Sequence, residues 1–205
     1  MNIYVYKMVA DNGGAPCVWR GLLSLALCKP KIRKTASEGA IVFGFGGQAY
    51  GEKLIYAAKI TAKPERGEYY VDPAFKWRPD RIYRLVNGVA RRKARARFHH
   101  QTDQRERDVG MHFEKAFVLL SDDFRYFGKA GTDDYKRRFP LIRRLVEGLK
   151  RGHRVNYNKI LHSEFLKLKA NLWKKFRSRK LGPPTDAIRS GICNKENPSC
   201  TLHPN

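Results

Sequence analysis

At 205 residues the chain is long enough for one sizeable core and at most a small appendage, and it holds no apolar run of the length a membrane-spanning helix needs. Its 42 Lys and Arg against 19 Asp and Glu give a formal net charge of +23, which favours a polyanionic partner, nucleic acid above all, over an acidic protein or an anionic membrane. Four cysteines are too sparse for a disulfide scaffold, and without an export signal a reducing, cytoplasmic compartment is expected.

In chain order, alternation over Ile3 to Val9 predicts a first strand. Leu22 to Cys28 reads as a short helical or irregular apolar segment closed by Lys29-Pro30, and Lys31 to Ser37 as one or two helical turns with Pro30 at the start and Gly39 as a stop. Ala40 to Gly46 and Lys53 to Ala62 are β-rich runs that suggest a hairpin with a loose glycine-rich loop. Arg81 to Val86 is a further strand turned by Asn87-Gly88, the strongest short hairpin signal present, and Lys115 to Leu120 completes the set.

The period then changes. Phe139, Ile142, Leu145, Val146 and Leu149 recur at three and four residues, predicting a helix over Pro140 to Leu149. Leu161, Phe165, Leu168, Leu172 and Phe176 mark a second, longer helix with lysines and arginines on its other face. From Gly182-Pro183-Pro184 onward periodicity is lost, and an irregular tail is expected over 181–205. The fold class is therefore α+β: one domain over 1–180, with a sheet-rich half to residue 130, a small mixed or antiparallel sheet, and basic helices over 131–180. Charge is uneven as well: residues 1–80 carry 12 cations against 7 acids, residues 81–205 carry 30 against 12.

Asp11-Asn12-Gly13-Gly14-Ala15-Pro16-Cys17 is the most informative stretch. It sets a carboxylate, a tight turn and a thiol within seven residues at the end of a strand, where loops on a rigid sheet carry function. Glycine explains the bend; it does not call for the carboxylate or the thiol. This run, continued through Gly21-Leu22-Leu23-Ser24-Leu25-Ala26 and Cys28-Lys29-Pro30, resembles the opening of the second type of nucleotide-modification-associated domain. Leu119 to Gly128 and Arg151-Gly152-His153-Arg154-Val155-Asn156 extend the likeness over most of residues 1 to 180. The resemblance implies a phage or bacterial setting tied to DNA base modification. It also implies an enzyme of unassigned reaction, with Asp11 and Cys17 matching the family's acidic and thiol features and Asp122 and Asp123 as weaker counterparts. The order of elements up to residue 120 is similar, at the level of pattern only, to the open barrels of the pseudouridine-synthase-and-archaeosine-transglycosylase (PUA) type, which include the EVE and ASCH groups; another α+β arrangement is the alternative.

Arg91-Arg92-Lys93-Ala94-Arg95-Ala96-Arg97 offers closely spaced cations for phosphate oxygens, and Lys174, Lys175 and Arg177 add to the nucleic-acid-binding candidates. His99 and His100 follow directly as candidates for acid or base work near neutral pH; adjacent residues of an extended segment face opposite ways, so at most one would face a given site. Ser121 to Gly128 reads as a loop whose carboxylates and aromatics either serve a site or cap a turn and fill the core. The base-pocket candidates are Asn12, Trp19, Phe45, Asp122, Asp123 and Tyr126, with Trp77 as a further ring. No phosphate loop with a Lys-Ser/Thr ending is present, which disfavours a nucleotide cofactor, and Cys193, Cys200 and His203 lack the paired spacing of a structural zinc site.

Two function classes follow. In the first, favoured slightly, the chain is a DNA base or nucleotide modification enzyme, with Asp11 as general base, Cys17 as nucleophile or site-shaping group, and the basic second half holding the strand. In the second it is a non-catalytic, PUA- or EVE-like reader of modified bases. An RNA-binding housekeeping protein is a third and blander alternative.

Overall fold

The computed structural model describes residues 1–94, 96–98, 102–150 and 152–186. The first strand, β1 (Ile3–Met8), forms as its alternation predicts, and the Asp11 loop leads into a short hairpin of β2 (Cys17–Trp19) and β3 (Leu22–Leu25). The Leu22 to Cys28 segment is thus a strand over Leu22–Leu25 and irregular over 26–28, with no helical turn: Leu23 to Leu25 pair with β8 (Leu119–Ser121), and tertiary pairing decides a run too short for its period to do so. Helix α1 (Pro30–Thr35) follows, proline in its first turn, and then the expected antiparallel pair of β4 (Ile41–Gly46) and β5 (Leu54–Lys59).

After α2 (Glu68–Val71), Asn87-Gly88 turns β6 (Tyr83–Val86) into β7 (Val89–Arg92), so Arg91 and Arg92 lie in a strand of this hairpin and not beyond it. Helix α3 (Thr102–Asp108) precedes β8, and β9 (Asp123–Tyr126) is a strand where a loop was expected, because its backbone pairs with β5 from Tyr56 to Lys59. Helices α4 (Asp134–Arg138) and α5 (Pro140–Gly148), the short β10 (His153–Arg154) and the long α6 (Lys159–Lys175) follow among the described residues.

The main sheet runs β10-β1-β4-β5-β9 and is mixed: β1 and β4 are parallel, the other neighbours antiparallel. The crossover between the parallel strands carries β2, β3 and α1. Period two divides the side chains between two cores. Ile3, Val5, Ile41, Phe43, Phe45 and Leu54 pack under α4, α5 and α6. Tyr4, Tyr6, Met8, Val42, Tyr56 and Tyr126 face the β2-β3-β8 sheet and α1. Burial on both faces explains why β4 is apolar throughout. At Gly44 a side chain would collide with the Tyr56 ring directly across the pair, so glycine is needed there for close approach.

A third core gathers Leu27, Tyr70, Tyr83, Val109, Phe113 and Val118 beneath the β6-β7 hairpin. The α+β class holds; among the described residues the three separate sheets do not close into a barrel. No described helix is long and apolar enough to cross a membrane.

Candidate functional site

Asp11 is 1% exposed, the most buried carboxylate near the end of β1. Its Oδ1 accepts the Tyr126 hydroxyl at 2.7 Å, and its Oδ2 accepts the Thr185 N–H at 2.9 Å and the Thr185 hydroxyl at 3.0 Å. In return the Asp11 N–H donates to Asp186 Oδ2 at 2.8 Å, an oxygen that also accepts the Tyr50 hydroxyl at 2.6 Å. Burial, and to a smaller degree the Asp186 charge, raise the Asp11 pKa, while the bonds from Thr185 and Tyr126 pull it down.

The segment from Arg179 to Asp186 is held beside this loop. The Tyr126 N–H donates to the Arg179 carbonyl, the Leu181 N–H to the Tyr126 carbonyl, and Pro184 lies against Gly13, where a Cβ would come within 2.9 Å of the proline ring. The Asn12 side chain is spent inside the turn, accepting the Gly14 N–H at 2.9 Å. Asp11 therefore works as a latch for the chain's later segment.

Cys17 is buried at the start of β2, and burial together with the neighbouring Asp80 pushes its thiol pKa well up. The thiol is protonated near neutral pH, the opposite of an activated nucleophile. Beside it a closed polar cluster pins the hairpin: Asp80 accepts the Ser24 and Tyr69 hydroxyls, and Arg78 donates to Asp80 at 3.3 Å and to the Cys17 carbonyl at 3.1 Å.

The other residues singled out from the sequence are dispersed. Tyr126 and Asn12 join Asp11, as described. Phe45 is a core ring packed edge-on against Tyr135, which takes it out of any solvent-facing pocket. Trp19 is 37% exposed with the Arg20 guanidinium over its ring, and Trp77 is more exposed still. Asp122 is exposed; Asp123 accepts the Trp173 indole N–H and pairs with Lys169 at 3.6 Å, tying β9 to α6.

Arg91 and Arg97 are exposed, while Arg92 turns inward to donate to the Phe98 carbonyl at 2.9 Å, closing its own loop. Burial and the Arg81 and Arg84 charges lower the Lys93 pKa. Lys174, Lys175 and Arg177 are exposed at the end of α6, where Lys175 pairs with Asp134. Arg95, His99, His100, Cys193, Cys200 and His203 lie outside the described residues. Among the described residues no group of three His, Cys, Asp or Glu side chains could hold a metal ion.

What the sequence did not mark is a cleft of about 690 Å³ at the carboxyl ends of β1 and β4. The ends of adjacent parallel strands are where open α/β sheets hold ligands. Lys7, Lys29, Lys31, Arg107 and Lys150 line it with the carboxylate of Glu147, Lys7 being paired with Glu52 at 2.8 Å, and Val9, Ile32 and Leu149 supply an apolar wall. The Lys29 ammonium stands 4.8 Å over the Tyr6 ring, whose hydroxyl meets that of Tyr56 at 3.0 Å. His153, opposite Tyr6 in the β1-β10 register, forms part of the lining; partial burial and the Lys31 and Lys29 charges lower its pKa, so the imidazole is neutral at pH 7. A signal did exist, in the Lys29-Pro30-Lys31 and Gly152-His153 stretches, but only the fold brings them to one wall.

An α+β protein with a cation-lined cleft at the ends of a parallel strand pair is the class that this geometry defines. The chain belongs to the nucleotide modification associated domain 2 family, whose model matches residues 1–190. No curated protein and no solved structure matches it. Family membership ties the chain to nucleotide modification.

Proposed function

We propose that this chain is a nucleic-acid modification protein that holds the phosphate of a nucleotide in the cleft between α1 and β10, with the base against the Val9, Ile32 and Leu149 wall. The observation that carries the reading is a concave site at the ends of parallel strands whose lining holds five cationic side chains and one carboxylate, Lys7 of the five being tied to Glu52 as well. Charge-assisted bonds to phosphate are the strongest contacts such side chains can make. His153, neutral beside two lysines, is the described cleft group best suited to take a proton from water or a substrate hydroxyl. Asp11, fully hydrogen-bonded, enters as a positioning residue that holds the 179–186 segment in place.

The test is calorimetric binding of deoxyadenosine monophosphate against deoxyadenosine, with Lys29→Glu and Lys150→Glu alongside. The reading expects the nucleotide to bind at least about tenfold more tightly than the nucleoside and each variant to erase the difference. Equal affinity for both would sink it. A second reading, the non-catalytic reader of modified bases, is favoured by the protonated Cys17 thiol and the occupied Asp11 carboxylate, neither of which is poised for reaction. Mass spectrometry of nucleosides from plain and modified DNA after incubation separates the two: a new mass that disappears in His153→Gln marks the enzyme, and none, with preferential binding to one modified base, marks the reader.

A further inference from the structure

A second depression, of about 530 Å³, adjoins the cleft on the far side of α1, and the two share Pro30, Lys31 and Arg107 as a common wall. Lys34, Arg66 and Lys115 line it beyond that wall. Lys31 and Lys34 are exposed three residues apart on one helix, so both look out along the same face. The lone carboxylate of this depression, Glu114, is occupied by the N–H groups of Met111 at 3.2 Å and His112 at 2.8 Å, and these bonds hold its pKa low. Taken together, eight cationic side chains line the two depressions with two carboxylates, and three of the eight pair with acids outside the lining: Lys7 with Glu52, Lys115 with Glu106 and Arg107 with Asp108.

The second depression also contains an aromatic ring. Phe117 is only half-buried, and the Lys63 ammonium sits 5.3 Å from its centre. A cation track with a ring beside it is the arrangement that binds single-stranded nucleic acid, where phosphates take the charges and a base stacks on the ring. A free mononucleotide, with its charge at one end, would use only the first cleft. An acidic peptide would use the charges and leave the ring idle.

We infer that the ligand of this site is a nucleic-acid strand: one nucleotide occupies the cleft, the neighbouring phosphate crosses the Lys31 and Arg107 ridge, and the next base stacks on Phe117. This rests on the cleft reading and extends it to a substrate class. Its consequence is a length dependence that one cleft alone cannot produce.

The experiment is fluorescence anisotropy with labelled mono-, di- and tetranucleotides of DNA, their RNA counterparts and an oligoglutamate peptide, each at low and high salt. Affinity should climb from mono- to tetranucleotide. The double variant Lys34→Glu/Arg66→Glu should weaken the tetranucleotide about tenfold or more and flatten its salt slope by roughly 1.4, the effect of two lost single-strand phosphate contacts, while leaving the mononucleotide unchanged. Phe117→Leu should weaken the tetranucleotide about fivefold or more through lost stacking, again sparing the mononucleotide. A mononucleotide that binds as tightly as the tetranucleotide, a tetranucleotide indifferent to both variants, or an oligoglutamate that binds equally well would overturn the strand. The cleft reading would survive the first two. Indifference of every ligand to Lys29→Glu would overturn the cleft and the strand with it. The DNA and RNA arms show which backbone the track prefers.

Discussion

On one face of the five-stranded sheet, Ile3, Val5, Phe43, Phe45 and Ala57 meet three helices without a hydroxyl among them; on the other, the same strands present Tyr4, Tyr6, Tyr56 and Tyr126. The first face is sealed by apolar packing, with Phe43 against Phe165 at 5.2 Å between ring centres and Phe45 against Tyr135 at 4.9 Å. The second carries the Tyr6-Tyr56 and Tyr126-Asp11 hydroxyl bonds and leads to the cleft at its edge. One face therefore supplies cohesion and the other polar chemistry. Alternation along β1 is enough to send each residue to its side.

The largest effect should come from the sealed face. Phe43→Ala removes a fully buried ring and should cost about 3–5 kcal/mol in a denaturant titration, since the cavity cannot fully collapse. Nucleotide affinity of the molecules that remain folded should not change. If affinity fell in step with stability, the two faces would not be separable.

Asp11→Asn should come next, at about 1–3 kcal/mol, because an amide can still accept from Tyr126 but cannot offer Thr185 a second acceptor oxygen. Hydrogen exchange at the Thr185 and Asp186 amides reads the release of that segment directly; unchanged protection would show that Asp11 does not latch it. The pH dependence has a definite sign. A raised carboxyl pKa means the folded chain keeps a proton the unfolded chain has lost, so between the ordinary carboxyl value of about 3.9 and the raised one, stability falls as pH rises. Asp11→Asn should abolish that decline.

A smaller effect tests the hydroxyl face alone. Tyr56→Phe leaves the buried Tyr6 hydroxyl without its tyrosine partner and should cost about 1–2 kcal/mol, while Tyr6→Phe/Tyr56→Phe should cost less than the sum of the single changes. Strict additivity in that double-mutant cycle would mean the pair contributes no coupling.

The first strand was readable because period two survives in β1, and the β4-β5 and β6-β7 hairpins were readable because glycine and Asn-Gly mark their turns. The helices α5 and α6 announced themselves through spacings of three and four. The β3 segment was misread because a short apolar run carries no decisive period, and β9 because Ser121, Asp122 and Asp123 read as turn residues; both take their conformation from the strands they join. In the site, the Asp11 loop stood out, but Thr185 and Asp186 come from more than 170 positions further along. The cleft was invisible for a related reason: Lys7, Lys29, Arg107 and Lys150 are four unremarkable cations until β1, α1, α3 and the α5-β10 turn meet. Runs such as Arg91 to Arg97 attract notice by density, whereas this concave charge arises from convergence.

The smallest effect is also the most specific to the cleft, and it concerns His153. Burial and the charges of Lys31 and Lys29 depress its pKa, so the unfolded chain binds a proton that the folded chain refuses; stability from this group is complete above the ordinary imidazole value of about 6.5 and is lost as pH falls through the depressed one. An anion seated among those lysines cancels the field that holds the proton off. The His153 titration, followed by NMR, should therefore move upward when deoxyadenosine monophosphate is added and stay in place with deoxyadenosine. Lys29→Glu should raise it before any ligand is present. A midpoint unmoved by the nucleotide in the wild-type chain would place the phosphate elsewhere and return the second face of the sheet to a purely structural role.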